Sequence, residues 1–217
     1  MSNPDQIVVP GEQLIGAHPW VRCVGDRVVR YINPTIEDPA ITFLRKVKAD
    51  DVLETVLGRF AAKIETEVSE LRTAGVNVID AEVEVCPIPI WNKRFELSGE
   101  HLGLRITSPY IYGISIEHFE PQKPDHKALA ADRTVKICDG LKIYVRNRVE
   151  AGESLFSDIY TENQLMFGAT EPGASPEVIL IDVDPYFMKS SKANEKTALN
   201  SIKYTQSYAL HKIQKRT

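Results

Sequence analysis

The chain has 217 residues, with 26 Lys and Arg against 30 Asp and Glu, for a formal charge of −4. An apolar fraction of 43% and a charged fraction of 26% exclude wholesale disorder and fibrous repeats. The mild acidity also excludes a protein that coats nucleic acid, because affinity for the phosphate backbone needs an excess of Lys and Arg. No run reaches the roughly eighteen apolar residues of a spanning helix, so no membrane partner is expected. The N-terminus lacks the positive start and apolar core of a secretory signal, which points to the cytoplasm or to export without a readable signal, as for a secreted effector. Cys23, Cys86 and Cys138 are far apart and the five histidines show no zinc spacing, so the cysteines read as reduced, structural thiols.

In chain order, two β-rich runs at 21–24 and 28–32 flank Gly25-Asp26 and predict a tight hairpin, with Leu14-Ile15 as a third short strand. From 50 to 74 the apolar positions Leu53, Val56, Leu57, Phe60, Ile64, Val68 and Leu71 recur at three- and four-residue steps. They predict a long amphipathic helix that Gly75 stops. Glu67 falls on that apolar stripe, so its carboxylate needs a cationic partner. Strands are expected at 76–85 and 102–116, with a connection interrupted by Pro87 and Pro89. The run 121–125, with Pro121 and Pro124, is the expected linker between a strand-rich first part and a helix-rich second part. Beyond it come a helix over 129–149 weakened by Gly140, strands at 164–167 and 178–181 around a Gly/Pro loop, and a terminal helix carrying Leu199, Ile202, Gln206, Leu210 and Ile213.

The chemistry concentrates at 157–184. Asp158 is followed by Asn163, an apolar strand, a loop, a second apolar strand and Asp182, so two carboxylates and an amide come to one edge of a small hairpin. Phosphoryl transfer asks a protein for little more than a carboxylate that orients the nucleophile and oxygen ligands for Mg²⁺.

These residues, Asp158-Ile-Tyr-Thr-Glu-Asn163 and Val178-Ile-Leu-Ile-Asp182-Val-Asp184, resemble the catalytic loop and metal-binding motif of the protein-kinase-like fold. The resemblance implies a two-lobed α+β fold. Residues 1–120 would form an antiparallel sheet with one long helix, and 121–217 a reduced, mainly helical lobe, with ATP and Mg²⁺ between them. It implies Asp158 as the residue orienting the acceptor hydroxyl, and Asn163, Asp182 and Asp184 as metal ligands. Glu67 would be the acid that ties the phosphate-binding cation, which is Arg30 by strand order and Lys46 or Lys48 by distance. Glu117 and Phe119 would belong to the inter-lobe hinge whose backbone meets adenine.

The sequence departs from the family in keeping one glycine in 16–20, in Phe156-Ser157 ahead of Asp158, and in Tyr160 where a lysine is usual. Only 35 residues follow Asp182, too few for the usual activation segment. The chain is thus similar to minimal bacterial effector kinases, which implies a protein substrate. A kinase-like binding or scaffolding module without catalysis, a small-molecule phosphotransferase, and an unrelated α+β domain whose acids lie on the surface are the alternatives.

Overall fold

The computed structural model describes residues 12–14, 20–32, 53–91, 97–121, 123–183 and 186–215. The fold is α+β, with antiparallel sheets and, among the described residues, three long helices. It divides into two compact units, one of residues 1–65 and 80–110 and the other of 66–79 and 111–217.

The first unit holds a five-stranded sheet in the order β1-β2-β3-β5-β4. Its strands are β1 (Glu12–Leu14), β2 (Val21–Val24), β3 (Arg27–Ile32), β4 (Glu82–Trp91) and β5 (Leu97–Pro109). The expected hairpin forms: β2 pairs with β3 through Gly25, whose φ of 62° suits a tight turn. Val21 opposes Arg30, and Arg30 in turn opposes Ile106. On one face Arg27 pairs with Glu82, and Arg105 with Glu84. Alternation puts Arg30 on the opposite face, with the buried Leu104 and Ile106. Arg22, also buried, lies over the Trp91 ring, 5.1 Å from its centroid.

The prolines expected to break the chain at 87 and 89 lie instead inside β4. That strand is at the edge of the sheet, and the two positions share one parity, so both missing N–H groups face away from β5. Pro109, in contrast, ends β5, so the strand predicted over 102–116 is two strands in different sheets.

α1 (Leu53–Thr73) has the predicted stripe, with Leu57, Ile64 and Leu71 at most 1% exposed. Its final residues, 66–73, belong to the second unit. The following segment is not the start of a long strand. It runs parallel to the end of a later strand, with Val78 bridging Leu180 and Asn77 Nδ2 donating to the Val178 carbonyl.

The second unit adds β6 (Tyr112–Ser115), α2 (His126–Glu150), β7 (Leu155–Phe156), β8 (Leu165–Ala169), β9 (Glu177–Leu180), β10 (Phe187–Met188) and α3 (Lys192–Lys215). β6, β8 and β9 form one sheet and β7 pairs with β10. Because β6 pairs with β8, the unit boundary falls between Tyr110 and Ile111, and the proline-bearing run at 121–125 leads into α2 within the second unit. Ser191 starts α3 by accepting the Asn194 N–H at 3.1 Å.

Gly140 does not simply weaken α2. A Cβ there would stand 2.9 Å from Val76 Cγ2 and 3.0 Å from the Ala74 carbonyl oxygen, so the glycine admits the chain leaving α1. Gly140→Ala gains about 1 kcal/mol of helix propensity, yet overpacking of this kind costs about 1–3 kcal/mol. The expected result is a lower urea midpoint at an unchanged m-value, the reverse of what a surface Gly→Ala change in a helix gives.

Candidate functional site

The residues of the predicted constellation lie in the second unit, and local packing explains how they are presented. The segment after β7 alternates by pairs: Ser157 and Asp158 are exposed, whereas Ile159 and Tyr160 are 2% and 3% exposed. Two apolar anchors therefore pin the loop and leave Asp158 outside. Upstream, Phe156 stacks on Phe187 at 5.0 Å, and the Ser157 N–H donates to the Tyr186 carbonyl at 2.8 Å. Downstream, Thr205 of α3, which is buried, donates its hydroxyl to the Tyr160 carbonyl at 2.6 Å.

The hairpin β8–β9 has Leu165 opposite Leu180, and the Ile181 N–H donates to the Gln164 carbonyl at 2.9 Å. Asn163 and Asp182 each stand two residues beyond that Leu pair, so they leave the same end of the hairpin. Asp158 joins them electrostatically. Its carboxyl is held above the ordinary value, first by burial and then by the charge of Asp182. The carboxylates of Asp158 and Asp182, with an amide oxygen at the same hairpin end, are hard oxygen donors of the kind that suit Mg²⁺. Asn163 Oδ1 also accepts from the Thr161 hydroxyl. Among the described residues, no group of three or more His, Cys, Asp and Glu converges, so any cation here would rest on this pair, the amide, and donors from outside the set. Asp184, like Lys46 and Lys48, lies outside the described residues.

The other expected residues are placed differently. Arg30 belongs to the first unit, whereas Glu67 and the constellation belong to the second. Glu67 has the cationic partner its burial demanded, but the partner lies on α2. Arg148 Nη2 donates to Oε1 and the Tyr144 hydroxyl donates to Oε2, each at 2.5 Å, and Glu67 is 0% exposed. Each carboxylate oxygen of Glu67 thus accepts a hydrogen bond from a side chain of α2.

The segment expected to meet adenine forms a helical turn, Ile116–His118. The Glu117 N–H donates to Ser115 Oγ at 3.3 Å and the Phe119 N–H to the Ile116 carbonyl at 3.2 Å, so both amides are engaged within the chain. The Phe119 ring is fully buried and meets Phe167 edge-on at 5.4 Å. Glu117 instead lines a groove of about 650 Å³ with Thr161, Glu162, Asn163, Asn200 and Tyr204.

Sequence reading missed that groove, as well as Tyr144, Arg148 and Thr205. Tyr144 and Arg148 follow Leu141 at helical spacing, and a polar group on a buried stripe was the signal available for them. For α3 the buried stripe is Ala198, Ile202, Thr205, Ala209 and Ile213, so the expected Ile202 and Ile213 are innermost, joined by the smaller Ala198, Thr205 and Ala209 in place of Leu199, Gln206 and Leu210.

Among the described residues, no helix is long and apolar enough to cross a membrane. In comparisons with known proteins, no family model matches the chain. No curated protein matches it either.

Proposed function

We propose that the chain is an MgATP-dependent phosphotransferase of kinase-like arrangement that transfers the γ-phosphoryl group to a protein hydroxyl. The observation that carries this reading is the delivery of Asn163 and Asp182 to one end of β8–β9, with Asp158 within the field of Asp182. The order helix, short strand, loop, hairpin, short strand, helix supports it, as does the pairing of β7 with β10 across the segment that carries these groups.

In this reading Asp158 orients the acceptor hydroxyl and takes its proton as the oxygen–phosphorus bond forms. The bond to the β-phosphate oxygen breaks and ADP leaves. Asn163 and Asp182 would hold Mg²⁺, which supplies charge neutralisation at the phosphates and relieves the repulsion between the two carboxylates. The groove beside Asn163 gives an acceptor polypeptide somewhere to lie.

The test is thermal unfolding with ATP and Mg²⁺, with ATP and EDTA, and with neither. Ligand at about a hundred times its Kd stabilises by about 2.7 kcal/mol. Wild type is expected to gain stability only with both present, and Asp182→Asn is expected to lose that gain. No gain in wild type would sink the reading. The second reading, a module that binds nucleotide without turnover, is favoured by Arg30 at the lysine position and by the commitment of Glu67 to Arg148. MgATP stabilisation without phosphate release dependent on Asp158 would select it.

A further inference from the structure

We infer that Glu67 and Tyr144 are positioning residues for Asp158, fixing the chain that enters the loop. This inference rests on the phosphotransfer reading above. Tyr144 and Arg148, which donate to Glu67, each have a second attachment. Tyr144 Oη also accepts the Phe156 N–H at 3.0 Å, and Arg148 Nε donates to the Ser154 carbonyl at 3.1 Å. Each of these two α2 side chains thus ends on Glu67 at one side and on the backbone of 154–156 at the other.

Phe156 is two residues before Asp158. With the Ser157 N–H on the Tyr186 carbonyl and the Tyr160 carbonyl on Thr205, the exposed Asp158 is the untethered middle of a segment fixed at 154, 156, 157 and 160. A chain held at both ends of a reactive carboxylate limits its excursions, and a misplacement of about 1 Å costs a positioned group about a hundredfold in rate. An apolar trio could fill the space between the helices, since buried ion pairs are weak stabilisers compared with well-packed hydrophobic groups, but it would leave the Phe156 N–H and the Ser154 carbonyl without these partners. What the charged trio supplies and an apolar one does not is two directional holds on the backbone leading to Asp158.

The experiment uses the full chain with MgATP as the only substrate, reading phosphate release together with amide hydrogen exchange. Tyr144→Phe removes one oxygen and keeps the ring. It is expected to lower kcat about tenfold with KM for MgATP within about twofold, and to speed exchange at 154–160 while α3 is unchanged. Glu67→Gln, which keeps the shape, is expected to shift the same two readouts by less. A kcat within twofold of wild type, or a KM that rises in step with a falling kcat, overturns the inference. Wild type without release dependent on Asp158 overturns the phosphotransfer reading instead. In that event exchange at 154–160 still decides the tether, and unchanged exchange in Tyr144→Phe overturns it.

Discussion

Asp158→Asn is expected to reduce phosphotransfer by about 10²–10⁴-fold, the usual worth of a positioned acid or base, while stabilisation by MgATP persists. The same substitution is expected to raise the thermal transition at neutral pH. The folded-state carboxyl is held above its ordinary 3.8 by burial and by Asp182. Between the ordinary and the raised value the folded chain therefore keeps a proton that the unfolded chain has released, and stability falls as pH rises through that window. Asparagine does not ionise, so its advantage is present above the window and disappears below pH of about 4. Differential scanning calorimetry from pH 3 to 8 checks the sign. A variant less stable than wild type at pH 7 would mean that Asp158 makes favourable contacts in the free protein. A variant with undiminished turnover would remove Asp158 from the chemistry.

Glu67→Ala is expected to have the largest effect on stability, about 3 kcal/mol or more, because it leaves the buried Arg148 guanidinium with only the exposed Glu153 carboxylate, 3.8 Å away, as counter-charge. Arg148 is 10% exposed in its side chain and Glu67 is 0% exposed, so water offers little compensation. The Tyr144 hydroxyl loses its acceptor in the same step. Replacing Glu67 and Arg148 together by methionine is expected to recover most of the loss, since an apolar pair of similar volume is often neutral or better. Urea titration of the two single variants and the double variant gives the coupling directly. Single-variant costs under about 1 kcal/mol, the range of exposed pairs, would show that the pair is solvated.

The two results separate two kinds of acid. Asp158 lies on a loop, and its ionisation raises the free energy of the folded state. Glu67 is enclosed, and its charge is answered within the unit. Both looked alike in the sequence, as single acids among apolar residues.

What the sequence determined by itself were elements whose signal is periodic and local. The stripe on α1, the turn at Gly25-Asp26 and the two apolar runs around the Gly/Pro loop each depend on a few neighbouring residues, and each formed where its pattern lay. That Asn163 and Asp182 leave the same end of β8–β9 was also legible, because a hairpin delivers both of its ends to one place whatever surrounds it. Tertiary structure alone decided the partners. Pro87 and Pro89 sit in a strand because β4 is an edge, which depends on where the sheet stops. Gly140 is small because another segment crosses there. Glu67 turned to Arg148, 81 residues further on, because α1 and α2 bury their polar groups against each other. The need for a cation follows from the cost of burying a charge and can be read from one helix. The identity of that cation follows from packing between distant segments, and no local pattern records it.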